Sequence, residues 1–137
     1  MSRVINPDSA GKLRIQLTKG IVLSIRELAR QTTTGTETRD IAAFIALALK
    51  TISDGIDVSV TAWEKRDYWI KADKFRMEWI WTGPAAEKMR NAVLSEDWAT
   101  VAALSAQIAQ KFNKIQVSEN HRLGKPWVGS YAQLTEK

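Results

Sequence analysis

From Ile41 to Trp63 the chain places Ile41, Ile45, Ala48, Ile52, Ile56, Ser59 and Trp63 at steps of three and four residues. That spacing draws one stripe down a 3.6-residue helix, and a strand cannot use it, because alternate strand positions face opposite ways. Asp54, Asp57 and Glu64 fall on the other side, so the segment predicts a long amphipathic helix. Thr34-Gly35-Thr36-Glu37 precedes it as a candidate capping box. Gly55 weakens the helix by about 1 kcal/mol relative to alanine and suits a close helix contact.

Three further segments carry the same period. Leu13, Leu17, Ile21, Ile25 and Leu28 form one face of a first helix over about 9–31, with Asp8 or Ser9 as N-cap. Trp98, Val101, Ala102, Ser105, Ile108, Ala109, Phe112 and Ile115 form a last one over about 96–115. There Ser95 is the expected cap, with Glu96 and Asp97 in the first turn. Between them, Tyr68, Ala72, Phe75 and Trp79 make one stripe while Ile70, Met77 and Trp81 make another on nearly the opposite face. A single helix over 37–81 would run roughly 65–70 Å. We therefore expect a turn near Arg66-Asp67, with Asp67 capping the next helix, which gives helices over about 37–66 and 68–94. Gly83-Pro84 breaks or kinks the latter. Residues 116–137, with Gly124, Pro126 and Gly129, read as an irregular tail. The expected fold is one all-α domain over 1–137, an antiparallel up-down-up-down four-helix bundle with that tail.

Composition narrows the chemistry. The chain has no cysteine, so disulfides and thiolate sites are excluded. The most apolar run, Ile41–Leu49, is nine residues long, against about 20 for a membrane span. Met1–Arg14 has no apolar stretch of leader length. The expectation is a soluble cytoplasmic protein with no membrane role. The single histidine, His121, lies in the tail, so the Glu-x-x-His pairs of a bundle di-iron site are missing. Asp54 and Asp57 read as a solvated face. There is no nucleophile elbow and no phosphate-binding glycine loop. No catalytic, metal or cofactor residue is nominated, and no cofactor is expected.

Two surfaces remain. The stretch Trp63–Trp81 holds four of the six tryptophans, interleaved with Lys65, Arg66, Lys71, Lys74 and Arg76. One bundle helix cannot point two opposite apolar faces at one core. Trp69, Ile70, Met77 and Trp81 are thus a surplus to be covered by a partner, by a second copy, or by the tail through Trp127. The leading expectation is a non-enzymatic interaction or scaffold protein that self-associates, with those five residues as its partner-binding set. The second surface is basic. Residues 1–36 hold Arg3, Lys12, Arg14, Lys19, Arg26 and Arg30 against Asp8 and Glu27, which is +4 of a net +5. Lys12, Lys19, Arg26 and Arg30 project within roughly 40° of each other on the first helix. Leu23 shares that ridge. With Lys71, Lys74 and Arg76 these cations define the alternative, a nucleic-acid-binding accessory protein. A third reading is a small-molecule binder or enzyme with an aromatic pocket between helices.

Overall fold

The computed structural model describes residues 7–136. Among them the chain is all-helical, with no strand. The helices are α1 (Pro7–Arg30), α2 (Thr36–Lys65), α3 (Trp69–Trp79), α4 (Thr82–Leu94), α5 (Trp98–Lys111) and the short α6 (Ser130–Thr135). Arg3 lies outside the described residues.

α2 organises the rest, because α1, α3, α4 and α6 all pack against it while α5 packs mainly on α4. The reason is visible in its first half. Ile41, Ala42, Ala43, Ile45, Ala46, Ala48 and Leu49 are all buried, so this stretch is apolar around its whole circumference. A helix of that kind must be surrounded. The four alanines let neighbouring backbones approach closely. α1 brings Ile21 and Leu23, α4 brings Met89 and Val93, and α5 brings Val101 and Ile108. Gly20 of α1 allows a close approach here, since a Cβ would lie a tight 3.0 Å from the Phe44 ring of α2. Gly55 is less constrained, for its Cβ would meet that of Ala10 at an ordinary 3.6 Å.

The turn near Arg66-Asp67 is present, but Asp67 does not cap α3. It closes α2 from a left-handed conformation, φ 62°. The Asp67 N–H donates to the Glu64 carbonyl and the Tyr68 N–H to that of Trp63. These bonds satisfy carbonyls left over at the helix end. The same arrangement ends α4. Glu96 has φ 55°, its N–H bonds the Val93 carbonyl, and the Asp97 N–H bonds that of Ala92. This corrects the cap expected at Ser95, which instead closes α4. Asp97 is the N-cap of α5, its carboxylate accepting from the Thr100 backbone N–H at 3.2 Å and hydroxyl at 2.6 Å. Those bonds hold the Asp97 carboxyl below its ordinary range.

The third expected helix is two. Pro84 has no N–H for the Ile80 carbonyl, and its ring crowds that carbonyl. α3 ends before Ile80, and α4 begins at Thr82 with the Trp81 carbonyl already accepting from the Ala85 N–H at 3.1 Å. α5 stops at Lys111, short of the expected Ile115.

The tail is anchored rather than irregular throughout. Trp127 is 2% exposed and Leu134 is buried. Asp40 of α2 accepts hydrogen bonds from the backbone N–H groups of Gly129 (3.3 Å) and Tyr131 (2.9 Å), which supplies α6 with a cap from a distant helix. Lys125 pairs with Glu37 at 3.4 Å. A hydrogen bond from Gln31, then one from Lys125, hold the Glu37 carboxyl below its ordinary range. No described helix is long and apolar enough to cross a membrane.

Candidate functional site

α3 presents two faces with different fates. Inward, Ala72 is fully buried, and Phe75 and Trp79 pack partly buried against the core. Phe75 stands edge-on to Trp63 of α2 at 4.7 Å between centroids. Trp79 lies 6.2 Å from Phe112 at the end of α5, and Trp81 lies 5.4 Å from the same ring. Arg76 locks the helix down by bonding Glu64 of α2 at 2.8 Å, with Asp73 as its second partner. Outward, Trp69 is 57% exposed, Ile70 77%, Met77 72% and Ile80 58%.

Two members of the expected partner-binding set are elsewhere. Trp81 is half-buried on Phe112, with the Lys111 ammonium 5.7 Å from its ring. Trp127 is in the core, under the loop that leads to α6, and cannot meet a partner from there. The tail therefore covers α2 and leaves the outward face of α3 bare. Ile80 joins that face. Ile80 belongs to neither of the two stripes read from the sequence.

The basic set is divided in the same way. On α1, Lys12 and Lys19 are exposed. Arg26 donates to the Val117 carbonyl at 2.9 Å, and Arg30 pairs with Glu27 at 2.9 Å; both approach Glu119 at 3.8 Å. Leu23, on the same ridge, is 1% exposed, so residues of the tail region close over this part of α1. Lys71 sits over the Trp63 ring at 4.7 Å, Lys74 is exposed, and Arg76 is engaged as described.

The aromatic pocket between helices of the third reading had no residues assigned from the sequence, and the structure contains a candidate. It is a cleft of about 490 Å³ where α1, the end of α3 and the residues after α5 meet. Trp79, Trp81 and Phe112 line its floor, and Arg14, Lys19, Lys111 and Lys114 its walls. The Arg14 guanidinium lies over Phe75 at 4.8 Å and over Trp79 at 5.6 Å. Burial lowers its pKa, opposed by nearby Glu78. No spacing rule could have found this cleft, because its walls come from positions nearly a hundred residues apart. Among the described residues no three acidic or histidine side chains converge as metal ligands do.

Comparison with protein-family models, with curated proteins and with solved structures finds no match.

Proposed function

We propose that the protein is a non-enzymatic helical interaction module that self-associates through the outward face of α3. The observation behind this is the exposure of Trp69, Ile70, Met77 and Ile80 on one side of a helix whose other side is packed into the molecule. Together they leave roughly 500 Å² of apolar surface bare, near the upper end for the largest patch of a monomeric protein. Ile70, Asp73, Met77 and Ile80 follow steps of three, four and three, the spacing by which one helix docks along another. The face is also self-complementary. In a two-fold antiparallel pairing that sets Ile70 against the Met77 of a second copy, Asp73 of each copy, which also bonds Arg76 of its own chain, falls beside Lys74 of the other. Such contacts occur twice in an isologous dimer.

The patch is smaller than the about 800 Å² per partner of a standard stable complex, so the dimer is weak, on the order of micromolar or weaker. Sedimentation velocity over a wide concentration range tests the reading. The wild-type protein should show a concentration-dependent dimer, and Ile70→Lys with Met77→Lys should abolish it without lowering Tm, because both side chains are exposed. A strict monomer at the highest attainable concentration overturns it.

The same reading treats α1, α2, the kinked pair α3–α4, and α5 as a distorted up-and-down four-helix bundle. The short connections at 31–35, 66–68 and 95–97 support it, since they favour antiparallel neighbours. Nucleic-acid binding ranks lower because Arg26, Arg30 and Arg76 already have partners.

A further inference from the structure

We infer that the cleft between α1, α3 and the end of α5 binds a small aromatic anion, a flat apolar ring system carrying one carboxylate or similar group. This surface is separate from the outward face of α3, and the inference does not depend on self-association.

The floor selects for a flat apolar body. Trp79 and Trp81 flank Phe112 with centroids 6.2 and 5.4 Å away, so three aromatic side chains line a single recess. Ile15, 59% exposed, and Ile115, 37% exposed, stand at its edge. An aromatic floor with apolar side chains at its edge suits a ring laid flat against it. A volume of about 490 Å³ lies within the range of small-molecule sites and is ample for two fused rings.

The walls select for negative charge. Arg14, Lys19, Lys111 and Lys114 line the cleft against a single carboxylate, Glu78. None of the four forms an ion pair within 4 Å among the described residues, a state they share with other surface cations such as Lys12, Lys88 and Arg90; what sets them apart is that they converge on one recess. Lys111 and Lys114 have a local explanation, since cations near the C-terminal end of a helix offset its dipole. Lys19 is an exposed cation of α1, and Arg14 projects from the body of the same helix onto Phe75 and Trp79. Arg14 is the decisive group. It is partly buried and held over Phe75 and Trp79, yet its guanidinium donates no hydrogen bond to any described residue. A guanidinium has five donors in a planar fork that matches a carboxylate. One held by aromatic packing at the mouth of an apolar recess, its donors turned to solvent and not to another side chain, can receive an anion while the recess takes the ring.

2-Naphthoate is the probe, with uncharged 2-naphthalenemethanol beside it, and calorimetry is read together with quenching of tryptophan emission. The expected result is saturable one-to-one binding of 2-naphthoate, with the alcohol at least about tenfold weaker and the difference shrinking at high salt. 2-Naphthyl phosphate, run in parallel, distinguishes a carboxylate site from a phosphate site by which anion binds tighter. Arg14→Gln should weaken 2-naphthoate about tenfold. Because Arg14 also packs on rings, Ile115→Asp serves as a second variant, placing a like charge at the edge of the cleft without touching the core. It should weaken binding by at least as much. Arg90→Gln, an equal loss of charge on the exposed side of α4, should leave binding unchanged. The inference is overturned by no saturable binding up to about 1 mM, by equal binding of the acid and the alcohol, or by binding that both cleft variants retain.

Discussion

Replacing Asp40 with alanine isolates the device that holds the tail. α6 has six residues, far too few to persist alone, and its own cap, Gly129, has no side chain to offer the first-turn N–H groups. Asp40 supplies that acceptor from α2, through bonds of 2.9 Å to Tyr131 and 3.3 Å to Gly129. Hydrogen bonds to a charged group contribute about 1.5–3 kcal/mol each at best. Asp40 is only half-buried and one of its bonds is long, so we take about 1–2 kcal/mol for the pair, in line with loss of a helix cap. Burial of Trp127 is the larger anchor, since truncating a buried aromatic costs about 3–5 kcal/mol. Asp40→Ala should lower Tm by roughly 3–8 °C for a chain of this size, Trp127→Ala by more, and Asp40→Asn by less than Asp40→Ala because one acceptor oxygen remains. Hydrogen exchange locates the effect. In Asp40→Ala the amides of Gly129 and Tyr131 should lose protection well beyond the global loss seen at Ile45 and Leu49 in α2, as expected of local opening. If those two amides keep their wild-type protection, the carboxylate does not hold α6 and the argument fails.

Other outcomes follow from single residues. Gly55→Ala should raise stability by about 0.5–1 kcal/mol, since its Cβ meets only ordinary contact and the helix gains propensity; Gly20→Ala should gain less or lose stability, because its Cβ meets the Phe44 ring at 3.0 Å, and paired chemical denaturation curves decide. Asp67→Gly should stabilise by up to about 1 kcal/mol in the same assay by relieving a left-handed non-glycine residue. Asp97 and Glu37 are both held below their ordinary carboxyl values of 3.8 and 4.5, so the stability they confer is present above those values and is lost as pH falls through the lower folded ones. Thermal unfolding followed from about pH 5 downward should show that loss, and Asp97→Asn should flatten part of it.

How much of this was legible beforehand varies from element to element, for physical reasons. The long helix α2, the helical stripe of α1 and the turn after Arg66 could all be read, because a 3.6-residue apolar period reports a helix wherever tertiary packing later places it. The start of α5 was misplaced by two residues. Ser95 and Asp97 are equally good caps by propensity, and Glu96 between them takes a left-handed conformation that its side chain does not advertise. The doubled stripe over 68–81 correctly indicated a helix with one face too many. It could not indicate that Trp81 would turn inward to Phe112; the segment around Trp127 was expected to pack back on the bundle, but its place beside α2 was not legible.

The sequence by itself determined that the chain is helical, where its longest helix lies, and that α3 carries more apolar surface than one packed face can use. Each of these is a property of neighbours within a few residues along the chain. Only the tertiary structure decided that α2 is surrounded, that the tail is tied down by Asp40, and that Arg14 meets the rings closing α5. Those outcomes depend on which surfaces meet across long sequence separations, and no local period encodes that.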